Sequence, residues 1–168
     1  MRSADLLVDS FGRIRDIVHP AVEGLSPADL TARLDPEANS IAWLIWHLTR
    51  IQDDHIAQVA GREQVWTSAG WAERFALPLE AADTGYGHTT EQVASVAADP
   101  DLLREYHDAV HAATIQFVRS LAETDLDRIV DTRWDPPVTL DARLVSVVVD
   151  DLVHAGQASY VRGILERR

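Results

Sequence analysis

The chain contains no cysteine, and this absence excludes several kinds of chemistry at once. Disulfides, thiolate metal ligands and a cysteine nucleophile are ruled out, so any metal ion must be held by histidine, aspartate or glutamate. Basic residues are also few: 15 of them stand against 27 acidic residues, for a formal net charge of −12. Such a surface repels phosphate backbones and anionic lipid headgroups, so we expect neither nucleic acid nor membrane as a partner.

Long hydrophobic runs are missing as well. No apolar stretch approaches the ~20 residues of a membrane span, and VSVVV is far too short. The beginning, MRSADLLVDSFGRIRD, is too acidic and too interrupted for a signal peptide. A length of 168 residues suits one domain over residues 1–168. We therefore expect a cytoplasmic protein with a single folded domain.

Apolar residues spaced by threes and fours predict four long helices. These run from about Ser3 to Val22, from Asn39 or Ser40 to Gly61, from about Pro100 to Glu123, and from Thr139 to the C-terminus. No strand pattern forces a sheet. The links between the second and third and between the third and fourth helices are long, and three of the five tryptophans lie in them. The expected fold is all-α: a four-helix bundle with two long loops.

The fourth helix carries a polar stripe where an apolar one is expected. Asp150, His154 and Gln157 fall on one helical face, with apolar residues before and after them. Asp150 and His154 are four residues apart, the spacing that lets two side chains of one helix reach the same metal ion. Asp151 is the fallback ligand. The alternative for this pair is an ordinary Asp–His hydrogen bond at the helix surface.

The second helix shows the same irregularity, since His47 is embedded among apolar residues in WLIWHLTRIQDDHI. His47, Asp150 and His154 together would give two imidazoles, one carboxylate and an open position, a set that suits zinc, with nickel or iron as alternatives. His107 and His111 form a rival pair four residues apart. Their neighbours indicate a partly solvated face, so we favour the first set.

The other three histidines carry no such pattern. His19, His55 and His88 are expected to be ordinary surface or loop histidines.

These motifs resemble a known family. NSIAWLIWHLTRIQDDHI, followed about a hundred residues later by DDLVHAGQASYVRG, resembles the DinB-like superfamily. The likeness is strongest to actinobacterial mycothiol-dependent S-transferases and to the related mycothiol-dependent maleylpyruvate isomerases. It implies a DinB-type four-helix bundle with a divalent metal held by His47, Asp150 and His154. Many members have a histidine where this chain has Asp150, whereas the isomerase branch has a carboxylate there.

The resemblance implies a transferase that conjugates a small thiol, mycothiol, to electrophilic small molecules, a reaction typical of detoxification. A metal-bound sulfur would be the nucleophile, which suits a chain that has no cysteine. No catalytic residue is expected beyond the metal centre. The alternatives are a thiol-dependent isomerase, a metal-dependent hydrolase, and a non-catalytic metal-binding bundle. The isomerase branch has an additional C-terminal domain, so we expect the transferase.

Further side chains are assigned around this centre. Asp54, Gln157 and Arg162 are expected to orient the ligands or to bind the cosubstrate. The electrophile pocket is expected to be walled by four tryptophans: Trp46, Trp66, Trp71 and Trp134. Core and loop packing explains these tryptophans equally well. The expected partners are the thiol and the electrophile, and the chain is expected to be a monomer or a homodimer.

Overall fold

The computed structural model describes residues 2–167, and the described part is mostly helical. This confirms the all-α architecture. In chain order the α-helices are α1 (Ser3–Val22), α2 (Pro27–Thr31), α3 (Ile41–Ala60), α4 (Val65–Ser68), α5 (Trp71–Phe75), α6 (Thr90–Ser95), α7 (Pro100–Ser120) and α8 (Leu140–Leu165). The four long ones are α1, α3, α7 and α8, and they correspond to the four predicted helices.

Local chemistry sets the ends of α3, the helix that matters most for the site. Ser40 caps its start, because the Ser40 hydroxyl accepts a hydrogen bond from the Trp43 backbone N–H at 3.2 Å. Gly61 ends it in a left-handed conformation with φ of 65°, which glycine adopts without steric cost. Helix α7 ends at Ser120, three residues before the predicted end, and a short 3-10 turn over Glu123–Asp125 follows it.

A small sheet lies in the second long loop, where none was expected. Strand β1 (Ile129–Asp131) pairs antiparallel with β2 (Val138–Thr139), with Ile129 opposite Thr139. Strands of three and two residues are too short to show an alternating pattern, which is why the sequence did not reveal them. Asp131 anchors this hairpin through contacts with Arg133 at 2.8 Å and Arg143 at 3.1 Å.

The long helices form a bundle in which α1 and α3 occupy opposite corners. Each of these two packs on both α7 and α8. Fully buried apolar side chains from all four helices fill the space between them, among them Phe11, Ile14, Leu44, Leu48, Val110, Leu144 and Val147. None of the helices in residues 2–167 combines the length and the apolarity needed to cross a bilayer.

Helix α3 is buried on nearly every side, with fifteen of its 20 residues buried. Two sides face α7 and α8, and the segment of residues 62–99 covers much of the remainder. Four side chains spaced by threes and fours along α3 hydrogen-bond this segment: Trp43, His47, Arg50 and Asp53. A stripe of this spacing lies on one helical face, so residues 62–99 pack along that face of α3. We call residues 62–99 the cover segment.

Candidate metal centre

Three of the residues singled out in the sequence meet between α3 and α8. His47, Asp150 and His154 each offer one ligand atom, and these atoms all lie within 4.8 Å of one another. The two helices run antiparallel, because His47 is near His154 whereas His55, further along α3, contacts Arg143 on the earlier part of α8. The i, i+4 spacing of Asp150 and His154 places both on the α8 face that meets His47.

A backbone carbonyl orients the His47 ring. Its Nδ1 donates a hydrogen bond to the Thr84 carbonyl oxygen at 2.5 Å. The proton must therefore sit on Nδ1, and the Nε2 lone pair is left available. Histidine ligands of metals usually have this arrangement, in which the hydrogen bond of one nitrogen fixes the tautomer and direction of the other.

His154 is oriented in the same way by its own helix. Its Nδ1 donates to the Gln157 side-chain oxygen at 2.9 Å, and its Nε2 lies 3.7 Å from Asp150 Oδ1. The other oxygen of Asp150, Oδ2, is buried and has no hydrogen-bond partner among the described residues. Two presented Nε2 atoms and an unpaired carboxylate oxygen form a donor set that fits a divalent transition metal.

The electrostatics of His47 favour the neutral ring that a metal requires. The pKa of His47 is lowered, mainly because burial penalises the imidazolium, and the nearby His154 adds to this effect. The hydrogen bond to Thr84 and the charge of Asp150 act in the opposite direction. With its pKa below the usual value, His47 is neutral at pH 7, so a metal ion would not have to displace a proton from it.

Several residues around His47 were missed in the sequence. Trp43 stacks on the His47 ring with 4.5 Å between centroids, and its edge faces His154 at 6.2 Å. The indole N–H of Trp43 donates to His88 Nδ1 at 3.0 Å, and His88 Nε2 contacts Asp83 Oδ1 at 2.9 Å. Trp43 lies one turn before His47, so helical spacing could have predicted this contact. No sequence pattern indicates that residues 83–88 pack on α3.

His88 was interpreted as an ordinary loop histidine, and the structure corrects this. Its side chain is only 3% exposed, and its ring stacks on Trp46 at 5.8 Å. Both ring nitrogens are already used in hydrogen bonds to Trp43 and Asp83. His88 therefore supports the aromatic wall beside His47 and has no nitrogen left for a metal.

Gly85 allows the cover segment to approach His47. Its φ is +92°, which side chains rarely tolerate. A Cβ atom at this position would lie 2.7 Å from His47 Nδ1 and 3.0 Å from the Trp46 ring. The close contact between Thr84 and His47 thus depends on the absence of a side chain at residue 85.

Two buried charged residues of α3 hold other parts of the cover segment in place. Arg50 is fully buried and donates to the Asp83 carbonyl at 3.1 Å and to the Gln64 side chain at 2.7 Å. Asp53, also fully buried, accepts hydrogen bonds from the backbone N–H groups of Val65 at 2.9 Å and Trp66 at 2.7 Å. Arg50 holds the residue that precedes Thr84, so it supports the hydrogen bond to His47 indirectly.

The structure does not bring Asp54, Arg162 or Trp134 to the three ligands. Asp54 accepts from Gln64 at 2.7 Å and lines a separate cavity of about 480 Å³. Arg162 donates to the backbone carbonyls at the end of α1 and pairs with Glu166 at 2.7 Å, so its guanidinium is occupied. Trp134 is 67% exposed in the connection between β1 and β2.

The remaining tryptophans divide into two groups. Trp46 is beside the centre, through its stacking on His88. Trp66 and Trp71 are buried and pack on Tyr106, at centroid distances of 5.1 and 5.5 Å. Core packing of the cover segment, the alternative weighed from the sequence, accounts for these two.

Asp151 and His107 also differ from their sequence interpretations. Asp150 lies with the two histidines, while Asp151 is fully buried on the core face of α8, so the fallback ligand is not needed. His107 was placed on a partly solvated face, yet it is 0% exposed. The sequence could not show this, because the burial comes from the packing of α1 against α7.

The comparisons with known proteins agree with this architecture. A profile of the DinB superfamily matches residues 10–158. This chain belongs to the DinB superfamily. Among solved structures, the crystal structure of a "conserved protein of locus" from Enterococcus faecalis is similar, with a TM-score of 0.93 and 31% identity over 100% of this chain and 99% of that one. No curated protein matches.

A cavity lies beside Gln157, although none of the three ligands lines it. Its volume is about 350 Å³, and its wall includes Asn39, Leu44, Gln157 and Tyr160. Gln157 both accepts the hydrogen bond of His154 and lines this space. A molecule in the cavity would therefore contact a side chain that orients one of the three ligands.

Proposed function

We propose that this protein is a metal-dependent S-transferase that conjugates a low-molecular-weight thiol to electrophilic small molecules. The observation that carries the proposal is the convergence of ligand atoms from His47, Asp150 and His154, all within 4.8 Å of one another, in a chain without cysteine. When a divalent ion is bound there, its chemistry is Lewis acidity, which lowers the pKa of a coordinated thiol. Zinc is the preferred ion, with nickel or iron as alternatives.

The chain's own residues would position the reactants. Thr84 and Gln157 hold the two imidazoles through their Nδ1 atoms and leave both Nε2 atoms available, and Trp43 and Trp46 shield the His47 side of the cluster. Asn39, Gln157 and Tyr160 offer neutral hydrogen-bonding groups in the 350 Å³ cavity for the polar part of a thiol cosubstrate. Mycothiol is the thiol that the family resemblance implies.

The test combines metal content with thiol-dependent turnover. Purified protein without a tag is analysed by elemental mass spectrometry and then given a model electrophile with and without mycothiol. We compare wild type with His47→Ala, Asp150→Ala and His154→Ala. His55→Ala is the matched control, because His55 is a half-buried histidine of α3 outside the cluster. Each ligand variant should bind this metal at least about 100-fold more weakly, because losing a ligand costs more than losing a hydrogen bond to a ligand, which costs roughly 10–100-fold.

Each result has a distinct meaning. The transferase is supported if consumption of the electrophile requires the thiol, is reduced in the ligand variants and is unchanged in His55→Ala. Consumption without thiol indicates a hydrolase, and isomerisation with recovery of the thiol indicates an isomerase. A bound metal with no turnover indicates a binding module, and no metal at His47, Asp150 and His154 would refute the proposal.

A further inference from the structure

A second group of metal-ligating side chains lies between the other two long helices. His19 on α1 and His107 and Asp108 on α7 each offer one ligand atom, and these atoms all lie within 4.8 Å of one another. This cluster shares no residue and no helix with the first, which is built on α3 and α8. It is therefore a separate site, and its occupancy does not depend on the proposed function.

His107 is the unusual member of this cluster. It is 0% exposed, and neither of its ring nitrogens has a hydrogen-bond partner among the described residues. A neutral imidazole has one N–H donor and one acceptor nitrogen, and buried polar groups in native proteins are rarely left without partners. One turn along α7, His111 Nδ1 is likewise buried without a partner. His107 therefore has a buried acceptor nitrogen that no described residue uses.

A cation would satisfy an unpaired nitrogen of His107. The ligand atoms offered by His19 and Asp108 lie within 4.8 Å of that of His107, and the His111 ring stacks beside it with 6.2 Å between centroids. A neutral ring has a lone pair to give to a metal.

The carboxylate of Asp108 has one oxygen that is heavily used and one that is not. Its Oδ1 contacts His19 Nε2 at 2.8 Å and accepts from Arg15 Nε at 2.6 Å. Its Oδ2 accepts no side-chain hydrogen bond from residues 2–167. The Arg15 charge opposes a cation, so an ion held mainly by charge would be disfavoured. An ion with a preference for imidazole nitrogen has the advantage here.

We propose that His19, His107 and Asp108 form a second site for a divalent transition metal, such as zinc, nickel or copper, that joins α1 to α7. The remaining coordination positions would be filled by water or by His111. Tetrahedral zinc bonds of 2.0–2.1 Å place ligand atoms about 3.4 Å apart. The wider pairs of the cluster would close to this distance, and the 2.8 Å contact between His19 Nε2 and Asp108 Oδ1 would give way to the ion. Because both helices contribute ligands, the bound ion would tie two sides of the bundle together.

The experiment is a zinc titration of metal-free protein by isothermal calorimetry. His19→Ala removes a ligand at the edge of the cluster, where the side chain is 27% exposed, so the core stays filled. His154→Ala removes the first site, and the double variant removes both. His55→Ala is again the control for a half-buried histidine outside either cluster. His107→Gln serves as a second probe that fills most of the same space.

We expect about two zinc ions per chain in wild type and in His55→Ala, about one in each single-site variant, and none in the double variant. Zinc should raise the Tm of His154→Ala but not that of the double variant, because only the former keeps a site that ties α1 to α7. His107→Gln should reproduce the loss seen with His19→Ala. If His19→Ala and His107→Gln bind as much zinc as wild type, or if His154→Ala binds none, the second site does not exist.

Discussion

Gly85→Ala tests the most specific feature of the candidate centre, the hydrogen bond from His47 to the Thr84 carbonyl. An alanine Cβ would lie 2.7 Å from His47 Nδ1, 3.0 Å from the Trp46 ring and 3.2 Å from the Trp43 ring. Contacts this short require the ring or the cover segment to move. Either movement separates His47 from Thr84, so the His47 ring is no longer held with its Nε2 toward the cluster.

The size of the effect follows from two separate contributions. A left-handed conformation costs a residue with a Cβ about 1–2 kcal/mol, and the crowding adds about 1–3 kcal/mol, as for other overpacked sites. Loss of the outer hydrogen bond of a histidine ligand lowers metal affinity roughly 10–100-fold. That loss corresponds to about 1.4–2.7 kcal/mol of binding free energy.

Gly87→Ala is the matched control. Gly87 also has a positive φ, of +73°, but a Cβ there would meet nothing within 4 Å. The two variants should therefore share the backbone strain and differ in the contact with His47. Both should lose stability in urea unfolding, and only Gly85→Ala should lose metal affinity.

The assay is competition for zinc against a chromophoric chelator. Every protein carries His19→Ala, so that only the cluster of His47, Asp150 and His154 is titrated. Equal zinc affinities in the Gly85→Ala and Gly87→Ala proteins would refute the role assigned to the Thr84 carbonyl. A loss confined to stability would show that Gly85 is needed for packing and not for the direction of His47.

Two further predictions concern the buried charges. Asp53→Ala should lower the free energy of unfolding by about 3–5 kcal/mol in urea titrations, because it leaves two backbone N–H groups and the buried Arg50 without their carboxylate. The control is Asp9→Ala, which breaks a surface pair between Arg13 and the 61% exposed Asp9 and should cost only about 0.3–0.5 kcal/mol; a similar loss in both variants would contradict this account. The hydrogen bonds and charge of Arg133, with help from Arg143, hold the pKa of Asp131 below its usual value. The contribution of Asp131 to stability is therefore present above pH about 4 and is lost as the pH falls further. Asp131→Asn should reduce the fall of the urea midpoint of unfolding below pH about 4, and an unchanged fall would show that other carboxylates cause it.

The sequence alone determined the framework and the three candidate ligands. Apolar spacing predicted the four long helices and Gly61 as the end of α3, and Ser40 was one of the two residues predicted to cap its start. Asp150 and His154 could be paired because helical spacing is regular: residues four apart on one helix share a face in any fold. His47 was noticed for the same reason, as a polar residue where the helix pattern required an apolar one.

Only the tertiary structure decided which distant segments meet these helices. Thr84, Gly85 and His88 come from a loop, and loop conformation depends on contacts with residues far away in sequence. The burial of His107 arises where α1 packs on α7, so its own neighbours in the chain indicated the wrong environment. Helical periodicity is a local property that can be read along the chain, whereas hydrogen-bond partners and burial are set by packing between elements.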